Sequence, residues 1–162
     1  MKKAIISGTF DPITVGHIDL IKRAREIFDE VVVVILSNGE KSKCMFSPDE
    51  RCAIAKAAVS SIDGASVLLW EGLTSDAAKK VGAKFIVRGA RSSSDFDYEN
   101  GLAAIMKRFD DNLETVILPS SPELSMISST YVRERIKYAC DLTGDVPDEC
   151  IPLIEKYRKA EK

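Results

Sequence analysis

Five short, continuously apolar segments alternate with amphipathic helical segments along this chain, and this alternation limits the fold more than any other feature. The apolar segments cover residues 4–7, 31–36, 66–70, 85–88 and 115–118. Because their apolar residues are consecutive, they fit strands that are buried on both faces of a parallel sheet. The helical segments cover residues 17–28, 74–81, 95–109, 128–139 and 147–159. A further helix opens at Ser47, where Ser-Pro-Asp-Glu forms a capping box with proline at the first helical position.

The order of these segments predicts an α/β fold, a Rossmann-like, doubly wound sheet of five parallel strands with right-handed crossovers. A length of 162 residues suits one such domain, and we interpret residues 1–162 as a single domain. In sheets of this kind ligands bind beyond the carboxyl ends of the strands, where the strand order reverses. Functional residues should therefore follow the strands.

Composition argues against several classes of function. The net charge of −2 provides no basic field for nucleic acid, and the longest strongly apolar run, residues 31–36, is too short to cross a bilayer. Four cysteines without close C-x-x-C spacing and a single histidine cannot form a zinc cluster. We therefore expect a cytoplasmic protein with reduced cysteines, no protein-built metal site, and no nucleic-acid or membrane partner.

The segment after the first strand carries the first candidate chemistry. Gly8 allows close backbone approach, Thr9 offers a hydroxyl, and His17 lies where the first helix starts. The helix dipole favours a neutral imidazole there, which can donate one hydrogen bond to a phosphate oxygen. A glycine-rich turn with an incidental histidine is the alternative, and spacing alone leaves both open.

Three motifs together resemble one enzyme family. G-T-F-D-P-I-T-V-G-H at residues 8–17 resembles the signature of the phosphopantetheine adenylyltransferases, which belong to a nucleotidyltransferase superfamily with an H-x-G-H or T-x-G-H motif. R-G-A-R at residues 88–91, followed by D-F-D-Y-E at 95–99, is similar to a second family motif. I-S-S-T-Y-V-R at residues 127–133 resembles the superfamily's triphosphate segment. In correct order, the resemblance covers residues 4 to about 135.

The resemblance implies a transferase that moves the adenylyl group of ATP to 4′-phosphopantetheine, giving dephospho-CoA and pyrophosphate in coenzyme A biosynthesis. It also implies Mg²⁺ bound mainly through the ATP phosphates, and a homo-hexamer. The catalytic residues it implies are His17, Lys41 and Arg91, and the substrate-binding residues are Thr9, Lys41, Thr74 and Arg88. The nucleotide-binding residues it implies are Thr9, Phe10, His17, Gly89, Ala90, Arg91, Glu99, Leu124, Ser125, Met126, Ile127, Ser128, Ser129 and Thr130.

The phosphate-binding lysine has two candidates. Counting forward from the second strand selects Lys41, whereas counting back from Phe46 leaves Lys41 and Lys43 on either side of the expected place. We take Lys41, although a lone loop lysine is more often a solvated charge. The two arginines could instead be surface salt-bridge partners, and the hydroxyls before the fifth helix could simply cap it.

Besides the loop before Phe46, which is one residue longer than in the usual family pattern, the chain departs from that pattern at three places. Ala90 replaces a leucine, Leu124 stands where an aromatic residue is more common, and Asn100-Gly101 is an unusual helix interior that could bend the fourth helix. Two other functions are compatible with the sequence. One is another superfamily member, such as a nicotinamide-mononucleotide adenylyltransferase or a cytidylyltransferase, although those usually begin the motif with histidine rather than Thr14. The other is a nucleotide-binding module without activity.

Overall fold

A parallel sheet forms the centre of the protein. The computed structural model describes residues 1–37 and 44–160. Within these ranges the strands are β1 (Lys3–Gly8), β2 (Glu30–Leu36), β3 (Ala65–Trp70), β4 (Phe85–Ala90) and β5 (Glu114–Pro119). They form one sheet in the order β3-β2-β1-β4-β5, and every neighbouring pair is parallel. The predicted doubly wound α/β fold is confirmed.

Helices flank the sheet and connect its strands. They are α1 (Val15–Arg25), α2 (Pro48–Val59), α3 (Thr74–Val81), α4 (Ser93–Phe109), α5 (Ser129–Lys137) and α6 (Ile151–Ala160). The capping box at the start of α2 is confirmed, since the Ser47 hydroxyl accepts from the Glu50 backbone N–H at 3.3 Å and the Glu50 carboxylate accepts from the Ser47 N–H at 2.8 Å. Gly82 ends α3 in the left-handed conformation, with φ of 71°. The fourth helix runs through Asn100-Gly101 as one element.

Apolar side chains cover both faces of the three interior strands, β2, β1 and β4. Val33 and Ile35 of β2 pack on one face with Ile21 of α1 and Ile54 of α2, and all four are fully buried. Ile5, Val32, Val34 and Ile86 lie in the second cluster, with the buried alanines of α3. Burial of one such side chain contributes about 1.5–3 kcal/mol. Packing on both faces therefore fixes the sheet that positions the loops at its carboxyl edge.

Two sequence expectations need correction. Residues 147–159 do not form one α-helix, because Pro152 lacks the N–H that would bond back to Asp148. A 3₁₀ turn, Asp148–Cys150, precedes α6 instead. The strands β3 and β5 are also only partly buried, although their apolar runs resemble those of the central strands. Both lie at the edges of the sheet, so each pairs with a single neighbour.

The four cysteines are free thiols. Burial, together with the nearby Glu149 carboxylate, raises the pKa of the Cys150 thiol to about 12, which keeps it protonated and unreactive at neutral pH. Across the described ranges, no helix has both the length and the apolar character that a bilayer crossing requires.

Candidate active site

A cleft of about 390 Å³ opens where the strand order reverses, at the carboxyl ends of β1 and β4. These two strands are neighbours in the sheet although they are far apart in the sequence. The first continues into α1 and the second into α4. The predicted site residues that line the cleft are Thr9, Phe10, His17, Arg88, Gly89, Arg91, Glu99, Leu124, Ile127 and Ser128. The fold therefore brings together residues from three separate motifs, as expected for a doubly wound sheet.

Other predicted residues lie elsewhere. Thr74 begins α3 after the edge strand β3 and does not line this cleft. Ala90 lines a neighbouring hollow with Arg91. Ser125, Met126, Ser129 and Thr130 border the cleft segment without lining it, and Lys41 and its alternative Lys43 lie outside the described residues. The assigned roles of these residues stay predictions.

The turn after β1 has an unusual backbone. Phe10 is buried and adopts a positive φ of 48°, a conformation that few non-glycine residues take. A Cβ at Gly8 would lie only 3.1 Å from the Phe10 ring, so glycine permits the ring to fold back over the strand end. The same ring contacts His17 edge to face, with 5.0 Å between centroids. The turn and the histidine therefore form one packed unit.

A capping box at the start of α1 fixes the orientation of the His17 imidazole. The Thr14 backbone N–H donates to His17 Nδ1 at 3.0 Å, and the Thr14 hydroxyl also lies 3.0 Å from this nitrogen. Since Nδ1 accepts, the neutral ring carries its proton on Nε2. Burial, and secondly the Arg91 charge, lowers the pKa of His17 from 6.5 to about 4. The neutral histidine expected from sequence is supported, but burial and a guanidinium are the causes rather than the helix dipole alone.

Arg88 and Glu99 form a partly buried ion pair inside the cleft. Arg88 donates from Nε to Glu99 Oε2 at 2.6 Å and from Nη2 to Oε1 at 2.9 Å. Its Nη1 donates to the Ser7 carbonyl at 2.7 Å. Glu99 is the one buried residue among those described in α4. Arg88 thus has a fixed orientation with two N–H groups left for a ligand, and Glu99 supports it.

Arg91 is held more loosely. Its Nε lies 3.4 Å from Asp95 Oδ2, and its side chain is 47% exposed. The pair is four residues apart at the start of α4, where an exposed ion pair contributes little stability. The Arg91 guanidinium can therefore turn towards a bound anion at small cost. Arg88 and Arg91 do form salt bridges, which was the alternative to a ligand-binding role. Both ion pairs, however, line the cleft.

A carboxylate that sequence reasoning missed connects two walls of the cleft. Asp19 of α1 accepts a hydrogen bond from the Ser121 hydroxyl at 2.8 Å and pairs with Arg23 at 3.3 Å. Arg23 also donates to the Pro119 carbonyl at 2.7 Å. The i,i+4 spacing of Asp19 and Arg23 was a readable signal, but the partners after β5 depend on tertiary contacts. These bonds position the segment that carries Leu124 and Ile127.

The three hydroxyl groups at the start of α5 have different roles. Ser128 is the N-cap, and its hydroxyl accepts from the Tyr131 N–H at 3.1 Å. The Ser129 hydroxyl donates to the Pro12 carbonyl at 2.8 Å, and the Thr130 hydroxyl accepts from Arg133 at 3.0 Å. The capping interpretation is therefore correct for Ser128. Ser128 also lines the cleft, so the N-terminal end of α5, which favours anions, lies at its border.

The cleft thus combines one neutral imidazole N–H, the three guanidinium groups of Arg23, Arg88 and Arg91, and the N-terminal end of a helix. All are hydrogen-bond donors, and donors of this kind stabilise phosphate oxygens. The three carboxylates along the wall, Asp19, Asp95 and Glu99, each already accept a hydrogen bond from a protein group. The arrangement suits binding of a polyphosphate and stabilisation of charge on it.

Comparison with known proteins agrees with this chemistry. A profile of the cytidylyltransferase-like family matches residues 5–135. The phosphopantetheine adenylyltransferase of Lachnoclostridium phytofermentans is 40% identical over 97% of this chain and 96% of its own length. The enzyme of that name from Thermotoga neapolitana is 40% identical over 98% of this chain and 99% of its own length. The one from Prochlorococcus marinus is 41% identical over 97% of this chain and 98% of its own length. With this identity over nearly its whole length, the chain belongs to the phosphopantetheine adenylyltransferase family, within the cytidylyltransferase-like proteins.

Proposed function

We propose that this protein transfers the adenylyl group of ATP to 4′-phosphopantetheine, in the synthesis of coenzyme A. The acceptor's phosphate oxygen attacks the α-phosphorus, the bond from this phosphorus to the β-phosphate oxygen breaks, and dephospho-CoA and pyrophosphate form. The observation that carries the proposal is the His17 imidazole, fixed as a neutral Nε2–H donor in a cleft lined by arginines. The name shared by the relatives supports the identity of the acceptor.

No protein nucleophile is needed, because the acceptor's phosphate is itself nucleophilic. Catalysis then depends on positioning the two substrates and stabilising developing charge. We assign His17 and Thr9 to the reacting phosphates and Arg88 to the acceptor phosphate. We assign Arg91 and the start of α5 to the departing pyrophosphate. Lys41 is proposed as a further phosphate ligand on its sequence position alone.

We also propose that Mg²⁺ enters with ATP. This ion prefers octahedral oxygen ligands, retains several waters and is commonly held by substrate phosphates. The cleft carboxylates are engaged by Ser121, Arg91 and Arg88, and no metal-binding cluster of three His, Cys, Asp or Glu side chains occurs in residues 1–37 and 44–160. The ion would neutralise charge on the triphosphate, while the protein's own donors orient it.

A homo-hexamer is proposed from the family resemblance, and the surface of α4 supports self-association. Ile105 and Phe109, four residues apart on one face of this helix, are each close to half exposed. Exposed apolar side chains grouped on one element are typical of interaction surfaces. Light scattering should give six times the 17.8 kDa mass of one chain, and a monomer mass would contradict the proposal. A cytoplasmic location, expected from the sequence, is proposed as well.

A substrate screen tests the reaction. Purified protein is incubated with Mg²⁺ and either ATP or CTP, together with 4′-phosphopantetheine, nicotinamide mononucleotide or choline phosphate, and pyrophosphate release is measured. We expect release with ATP and 4′-phosphopantetheine. Release with CTP but not with ATP would favour a cytidylyltransferase. Binding of ATP without turnover of any acceptor would indicate a binding module. The variant His17→Ala controls for contaminating activity.

A further inference from the structure

A buried arginine outside the cleft connects the segments that build it. Arg51 lies in the first turn of α2 and is only 3% exposed. In the part of the chain that the structure describes, no carboxylate pairs with its guanidinium. Instead Nη1 donates to the carbonyls of Thr9 at 2.6 Å and Leu36 at 2.9 Å, and Nε donates to the carbonyl of Phe46 at 3.2 Å. A buried charge is costly unless its hydrogen bonds are made, so this cluster is strongly fixed.

These three carbonyls belong to the ends of separate elements. Thr9 follows β1, Leu36 is the last residue of β2, and Phe46 immediately precedes the cap of α2. Asp11 strengthens the same connection, since its buried carboxylate accepts from the Met45 and Phe46 N–H groups at 2.8 and 2.9 Å. The turn after β1 is therefore tied from two directions to the entry of α2.

The Thr9–Phe10 turn, which these hydrogen bonds hold, has a strained backbone. Phe10, next to Thr9, has a positive φ of 48°, which for a non-glycine residue persists only where surrounding contacts enforce it. Its ring packs against the His17 imidazole at 5.0 Å. A shift of the Thr9 carbonyl would move the Phe10 backbone, and the ring that lines the histidine would move with it.

We propose that Arg51 is a positioning residue for the transfer reaction: by holding the Thr9 carbonyl it fixes the Thr9–Phe10 turn and so keeps the Phe10 ring packed against the His17 imidazole. The link to the reaction depends on the proposed function, whereas the link to His17 does not. Arginine suits this role because its planar, rigid fork bonds several carbonyls at fixed angles, which a lysine ammonium on a flexible stem cannot do. A change to lysine keeps the charge and removes the fork.

The first test measures the position of His17 without using activity. The chain has one histidine, so protein labelled with ¹³C-histidine gives a single set of ring resonances that can be titrated by NMR. In Arg51→Lys we expect the titration midpoint to move from about 4 towards the ordinary 6.5, because the imidazole loses the Phe10 ring that shields it from water. The matched control is Arg25→Lys, since Arg25 also bonds backbone carbonyls, those of Asp63 and Phe28, but at the opposite edge of the sheet. A wild-type midpoint in Arg51→Lys would overturn the proposal.

The second test measures turnover. Arg51→Lys should lower kcat/KM for pyrophosphate release by about tenfold to a hundredfold, as small misplacements of catalytic groups do, while Arg25→Lys stays within about twofold of wild type. Unchanged kcat/KM in Arg51→Lys would refute the role in the reaction. If wild-type protein releases no pyrophosphate, the proposed function fails, and the His17 titration still decides the positioning. If Arg51→Lys does not fold, Arg51→Gln replaces it. Unfolding of both variants would also count against the proposal, since Arg51 would then determine folding rather than the site.

Discussion

The lowered pKa of His17 makes the stability of the protein depend on pH in a calculable way. The unfolded chain's histidine titrates near 6.5, and the native one near 4. As the pH falls through this window, the unfolded state binds a proton that the native state rejects, so stability is lost from about pH 6.5 downward and the loss is complete below pH 4. Integrating the difference in proton binding from about pH 7.5 to 5 gives a loss of about 2 kcal/mol from this residue.

The perturbation is His17→Asn, which removes the titration and keeps a polar side chain at the position. Free energies of unfolding are measured by urea denaturation at pH 7.5 and pH 5, at equal protein concentration. The carboxylates titrate in both proteins, so the difference between their pH dependences isolates His17, the only histidine. We expect the wild type to lose about 2 kcal/mol more than the variant over this interval.

The absolute stability of His17→Asn does not matter to this comparison, because only the change between the two pH values enters. Equal losses in the two proteins, within about 0.5 kcal/mol, would show that the imidazole titrates normally in the folded state. The partial burial of the ring, its contact with Phe10 and the acceptor role of Nδ1 would then not describe the protein in solution. The mechanism in which a neutral His17 imidazole donates a hydrogen bond to the reacting phosphates would then be refuted as well.

Three further predictions follow from the cleft. His17→Ala should lower kcat by about 10²–10³-fold, the usual effect of removing one donor to developing charge, with an unchanged far-UV circular dichroism spectrum; turnover within a few-fold of wild type would contradict the role. Glu99→Gln should lower the free energy of unfolding by about 1.5–3 kcal/mol, because the partly buried Arg88 loses a charged acceptor, and urea denaturation checks it. Lys41→Ala should raise the acceptor KM by about tenfold or more while Lys43→Ala leaves it nearly unchanged; the reverse result in steady-state assays would assign the phosphate to Lys43.

Much of the fold was predictable because its signals are local. Consecutive apolar residues such as those of β2 indicate a buried strand, and Ser47, Pro48 and Glu50 indicate a helix start by their spacing alone. The helix expected at residues 147–159 is wrong at its start, because Pro152 cannot donate the backbone hydrogen bond that would extend α6 back to Pro147. The edge positions of β3 and β5 were not predictable from their composition, since strand order depends on contacts between distant segments.

The candidate site also has features that the sequence predicts and features that depend on tertiary contacts. The motifs identified Thr9, His17, Arg88 and Arg91 as chemistry-bearing residues, and the fold collects them in one cleft. Sequence reasoning gave no role to Arg51, because an arginine in a helical segment is usually a solvated charge. Its three carbonyl partners come from chain segments up to 42 residues away.

The sequence by itself determined the order of strands and helices, the helix caps and the residue types available for phosphate chemistry. Those follow from periodicity and from interactions between residues a few positions apart. Only the tertiary structure decided that Arg88 bonds Glu99, that Asp19 reaches Ser121 and that His17 lies half-buried beside Phe10 and near the Arg91 charge. Burial and non-local hydrogen bonds set protonation states and side-chain orientation, and both arise when the parallel sheet brings the ends of separate strands to one edge.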